Sequence, residues 1–108
     1  MARDELVRLR ASAVDEAATL ARDLEGLFAA ARDSNGDDEH DPEGATVGFE
    51  RAQLTALLAA ARERIVEVDD ALRRFDAGTY GICERCGQPI GEGRLGARPF
   101  ARWCIDCA

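Results

Sequence analysis

Between Ala2 and Arg32 the chain carries no proline and one glycine, Gly26; its apolar residues fall at Leu6, Leu9, Ala13, Ala17, Leu20, Leu24, Leu27 and Ala31. Steps of three and four residues set these side chains on one face of a helix, the pattern of a coiled-coil seam. A second run is more regular: Leu54, Leu58, Ala61, Ile65, Val68, Leu72 and Phe75 step 4, 3, 4, 3, 4, 3. The other faces carry Arg, Glu and Asp, suited to solvent and to ion pairs across the seam. Neither stripe can be buried by its own helix, whereas an antiparallel hairpin buries both. The stretch between them, residues 33–50, holds the turn signal Asn35-Gly36. It also holds Asp41-Pro42, an N-cap followed by proline at the first helical position. A short connection makes neighbouring helices antiparallel, so an intramolecular hairpin and a monomer are expected rather than a parallel dimer. Each helix should run roughly 45 to 55 Å at its 1.5 Å rise per residue. The second should stop at Asp76-Ala77-Gly78, with Gly78 as the left-handed residue past its end.

Composition narrows the picture to a seam. The 108 residues are 46% hydrophobic, but much of that is alanine, with one Trp, one Tyr and four Phe. So few bulky side chains suit a helix–helix contact better than a broad core. The net charge of −7 disfavours general binding to DNA, RNA or anionic membranes, which basic patches drive. It permits binding to a basic surface, groove or channel on another protein. Neither an 18-residue apolar run nor the apolar core of a signal peptide is visible, so no membrane span and a cytoplasmic location are expected. Disulfides rarely persist in that compartment.

All four cysteines lie near the C-terminus, as Cys83, Cys86, Cys104 and Cys107 in the spacing C-x2-C-x17-C-x2-C. Each C-x-x-C turn brings two thiolates to one side of a metal, and two such turns close a tetrahedral shell. Gly87 follows the first pair, where a tight turn needs a residue tolerant of positive φ. Two disulfides conflict with the compartment, and a thioredoxin-like pair needs a βαβ pattern that is absent. Iron in a four-thiolate site stays chemically open beside zinc. One structural Zn²⁺ is the expectation, and with every position filled by protein it should hold the fold and not catalyse. No nucleophile–base pair or open metal position is visible, so the chain does not read as an enzyme. The expected fold is mainly α: a long antiparallel two-helix coiled-coil hairpin over residues 1–77, then a four-cysteine zinc finger over 78–108.

The hairpin's tip, about residues 33–45, concentrates charge. Asp33, Asp37, Asp38, Glu39, Asp41 and Glu43 follow one another with no basic residue among them. A solvated turn and helix N-terminus would look the same. Delivered into a basic or metal-containing site on a partner, however, carboxylates are hard oxygen ligands for Mg²⁺ and partners for arginine and lysine. The single histidine, His40, reads as a solvated loop residue.

The run GTYGICERCGQPIGEGRLGARPFARWCIDC, residues 78–107, resembles the zinc finger of the DksA/TraR family. The matching features are G-T-Y-G-x-C, C-x-x-C-G-x-x-I, R-L-x-A-R-P and C-I-x-C, and the hairpin and acidic tip are similar to the family's coiled coil. The resemblance implies a bacterial transcription regulator that binds RNA polymerase directly, with no sequence-specific DNA binding of its own. Its coiled-coil tip would enter the secondary channel and alter open-complex stability or catalysis near the catalytic Mg²⁺. Against the family tip pattern D-x-x-D-x-A, Asp38 and Asp41 fit the acids and Glu43 replaces the alanine. A second register, counted back from Cys83, places Ala45 at the alanine and His40 and Glu43 at the acids. Arg98 matches a basic finger position of members that respond to ppGpp, whereas Glu67 stands where their coil is basic, so a complete ppGpp site is not expected. The alternative function is a zinc-ribbon and coiled-coil adaptor that joins proteins without channel activity.

Overall fold

Both apolar stripes fold as helices. The computed structural model describes residues 3–34 and 42–108, with α1 over Arg3–Ser34, α2 over Pro42–Asp76 and a short α3 over Glu92–Ala97. The described residues form no strand; one antiparallel bridge pairs Ile82 with Pro89. The chain divides into two compact units, residues 13–63 and residues 1–12 with 64–108.

In the unit of residues 13–63, α1 and α2 lie antiparallel along the expected seam. Ala13, Leu58 and Ala61 are buried, while Ala17, Leu20, Leu24, Leu27 and Leu54 are half-buried. The guanidinium of Arg51 lies 5.4 Å from the centre of the Phe28 ring, and nearer the start of α1 the stretch Ala21 to Glu25 faces Leu58 and Arg62. A seam built from alanine and one leucine per turn has no width for a broader core.

The other unit pairs the start of α1 with the end of α2. Leu6, Val68 and Ala71 are fully buried, with Leu72 and Phe75 half-buried beside them. Leu9, which the stripe placed in the seam, stays 38% exposed. Arg3 Nε donates to Asp76 Oδ1 at 2.8 Å and Arg10 Nε to Asp69 Oδ1 at 2.6 Å, fixing an antiparallel register. α2 ends where expected. Gly78 adopts φ 78°, the left-handed conformation that costs a glycine nothing, and its N–H donates to the Phe75 carbonyl at 3.1 Å while Thr79 N–H reaches Arg74 O at 2.9 Å.

The stretch between the cysteine pairs contains α3. Gly93 and Gly96 are helical, and Leu95 is buried in a small core with Cys83, Ile90 and Cys104, flanked by Tyr80, Ala101 and Cys107. Two glycines in six residues hide a helix from any propensity argument. Burial of Leu95 against the thiol cluster overrides that preference.

Candidate metal centre

Each cysteine pair sits in a tight turn whose backbone bonds set the thiols. In the first, Cys83 N–H donates to Gln88 O at 2.8 Å and Gly87 N–H to Cys83 O at 2.9 Å, with Gly87 at φ 74°. In the second, Cys107 and Ala108 N–H groups both reach Cys104 O, at 3.1 and 3.0 Å. Glu84 N–H donates to Arg102 O at 2.9 Å and joins the two turns.

These turns gather all four sulfurs within 4.8 Å of one another, none in a disulfide. Cys86 Sγ and Cys104 Sγ are 3.7 Å apart. A tetrahedron with metal–sulfur bonds of 2.3 Å has an edge of about 3.8 Å, so the Cys86–Cys104 separation matches one edge of a four-thiolate zinc site and the cluster is compact enough to close around one ion. Charge makes the same point. Burial pushes the Cys83 thiol up, but backbone N–H groups of Cys104, Cys86 and Arg85 outweigh it and bring it down to about 6. Cys107, crowded by the thiols of Cys104, Cys83 and Cys86, is pushed up to about 12. Four thiolates this close ionise together only around a cation.

A second layer ties this centre to α2. Asp70 Oδ2 accepts from Arg102 Nη2 at 2.5 Å and from Arg74 Nε at 3.2 Å. Arg74, its side chain only 11% exposed, also reaches the carbonyls of Ala101 and Phe100 at 3.3 and 3.5 Å, and its guanidinium lies 5.9 Å from the Tyr80 ring. The Tyr80 hydroxyl donates to Pro99 O at 2.9 Å. The hydrogen bond from Arg102, with the charges of Arg74 and Arg73 nearby, holds the Asp70 carboxyl below its ordinary range against the opposing effect of burial. On the finger itself, Arg85 stacks 4.6 Å from the Trp103 ring and donates to Cys107 O at 2.9 Å.

A sequence model described as the prokaryotic dksA/traR C4-type zinc finger matches residues 78–108. Residues 78–108 belong to that family. Among curated relatives, general stress protein 16O of Bacillus subtilis is 38% identical over 73 residues, 68% of this chain and 45% of that protein. The RNA polymerase-binding transcription factor DksA of Caulobacter vibrioides is 49% identical over 45 residues, 42% of this chain and 32% of its own length. The match thus spans less than half the length of either relative. The structure of transcription factor DksA2 from Pseudomonas aeruginosa superposes with a TM-score of 0.58 at 29% identity, covering 96% of this chain and 80% of that one. The fold is DksA-like, and the cofactor of a DksA/TraR C4 finger with these four clustered thiols is one structural zinc.

The remaining expected positions fall differently. Arg98 is exposed at the C-cap of α3, on the wall of an open cleft of about 670 Å³ between the finger and α2 that also holds Glu67, Asp70 and Arg74. Asp38 and Asp41 lie outside the described residues, and Glu43 is described only as part of α2's backbone. Sequence reasoning missed the Asp70–Arg102 bond. Asp70 and Arg74 carry a visible four-residue helical spacing, but nothing local pairs Asp70 with a residue 32 positions later. No helix among the described residues is long and apolar enough to cross a membrane.

Proposed function

We propose that the chain regulates transcription by binding RNA polymerase directly, inserting the acidic tip of its hairpin into the secondary channel to alter open-complex stability or catalysis. The observation that carries the reading is the junction of a DksA/TraR finger with an antiparallel helix pair whose tip, residues 33–43, carries six carboxylates. Relatives that share the finger are named RNA polymerase-binding transcription factors. The work divides between residues 1–77, which carry the tip, and residues 78–108, which dock. Cys83, Cys86, Cys104 and Cys107 would hold the zinc, and four protein ligands leave it no position for substrate, so its part is structural and the chain is not an enzyme. Asp38, Asp41 and Glu43 act at the tip, and Arg98 offers a cation to the partner. Acidic overall, the protein works in the cytoplasm as a monomer through a protein partner rather than through DNA.

The test is the lifetime of competitor-challenged open complexes on a ribosomal RNA promoter, with polymerase from the same organism. The wild-type protein is expected to shorten that lifetime. Asp38→Asn with Asp41→Asn is expected to bind polymerase equally and lose the effect. Equal activity of the double variant removes the tip assignment, and no competition with a Gre-type cleavage factor for polymerase removes channel entry.

A further inference from the structure

The residues that lead into the second cysteine pair, Pro99 to Trp103, belong to no helix or strand, yet every one of their carbonyls accepts a hydrogen bond. The Tyr80 hydroxyl donates to Pro99 O, the Arg74 guanidinium to Phe100 O and Ala101 O, Glu84 N–H to Arg102 O, and Arg94 Nε to Trp103 O at 2.9 Å. The Arg102 side chain is held as well, by Asp70. Three of these restraints come from α2: the Phe100 and Ala101 carbonyls from Arg74 and the Arg102 guanidinium from Asp70. Both α2 residues lie outside residues 78–108, the segment that matches the finger family. Arg74 is itself fixed, its side chain largely covered, its Nε on Asp70 and its guanidinium against the Tyr80 ring. A planar fork locked in this way spans two carbonyls with little further loss of freedom.

An irregular segment has no ladder of its own to keep it in place, and the entropy of ordering it opposes folding. Where such a segment is loose, the metal must gather the thiols that follow it, and the same entropy opposes metal binding. Tied to a helix, it presents Cys104 and Cys107 to Cys83 and Cys86 already in place. Contacts beyond the ligands themselves set metal affinity in this way. We infer that Arg74 and Asp70 are positioning residues of the metal centre: by holding residues 99–103 against α2 they place Cys104 and Cys107 and raise the chain's affinity for zinc. The finger's metal site is thus completed by a helix that precedes the finger in sequence. This rests on the four-thiol centre and not on the polymerase reading.

The test is the zinc affinity of the full chain, read by competition with a chromophoric chelator, while the visible absorption of bound cobalt(II) reports the coordination shell. Arg74→Met keeps an apolar stem beside Tyr80 and removes every donor. It is expected to weaken zinc binding about tenfold, with the cobalt spectrum at saturation still that of a tetrahedral four-thiolate site. Asp70→Asn, a milder change, is expected to weaken it about threefold. Two controls should stay within about twofold of the wild type. Arg73→Met makes the same substitution at an exposed neighbour whose ion pair with Asp70 lies within α2. Leu58→Ala destabilises the helix pair in the other unit and touches nothing of the finger. Zinc affinity of Arg74→Met and Asp70→Asn within about twofold of the wild type overturns the inference. So does an equal loss in either control, which would trace the effect to net charge or to general stability. Should Arg74→Met fail to fold with zinc bound, Asp70→Asn decides by the same criterion.

Discussion

Leu58 and Leu57 are neighbours in sequence with opposite surroundings, one 6% and the other 44% exposed. Leu58→Ala is expected to cost about 2 to 5 kcal/mol of stability through lost burial and the cavity left behind. Leu57→Ala is expected to stay within about 0.5 kcal/mol, as exposed sites do. Denaturant unfolding of the two variants checks both. The heptad count alone separated these two leucines, because period fixes which side chain faces the partner helix whatever that partner is. Asp70 is the converse case. Its carboxyl sits below its ordinary value of 3.8 because Arg102 and Arg74 favour the charged form. Its stabilising contribution is therefore fully present above that pH and is lost as pH falls through the lowered folded value. Asp70→Asn should melt below the wild type at neutral pH, and the two melting curves should converge on acidification. A constant gap across the acid range would contradict the ion pair. Nothing in the sequence pointed to Arg102 as the partner, since that contact is made by the docking of the finger and not by local spacing.

At the level of elements, the helices and the finger depend on different forces. α1 and α2 are held by burial of Leu6, Leu58, Val68 and their alanines, and their ends were legible from proline at position 42 and glycine at position 78. α3 was not legible, because its stability comes from Leu95 seated on the thiols and not from its own residues. A module of about thirty residues with so small a core needs its metal to fold. Chelation of zinc is therefore expected to unfold residues 78–108 while most of the helical circular dichroism persists. Acid should ease the removal, since each thiolate that takes up a proton leaves the coordination shell. Simultaneous loss of helix and finger on chelation would show that the metal also holds the hairpin.

For the molecule as a whole, charge is partitioned as sharply as structure. Nearly all the excess acid belongs to residues 13–63, and the finger with the paired helix ends is close to neutral. Association with a basic partner should then slow steeply with ionic strength, while dissociation, set by contacts already formed, should change less. Stopped-flow mixing with polymerase at increasing salt would read the two rates separately. The zinc finger also holds the chain's single tryptophan, Trp103, next to Cys104 and beneath the guanidinium of Arg85, which is itself tied to the carbonyl of Cys107. The protein thus carries its own optical gauge. Indole emission will report on the finger around Trp103, so finger unfolding and zinc exchange can each be followed in the unlabelled wild-type chain while far-ultraviolet dichroism tracks the helices.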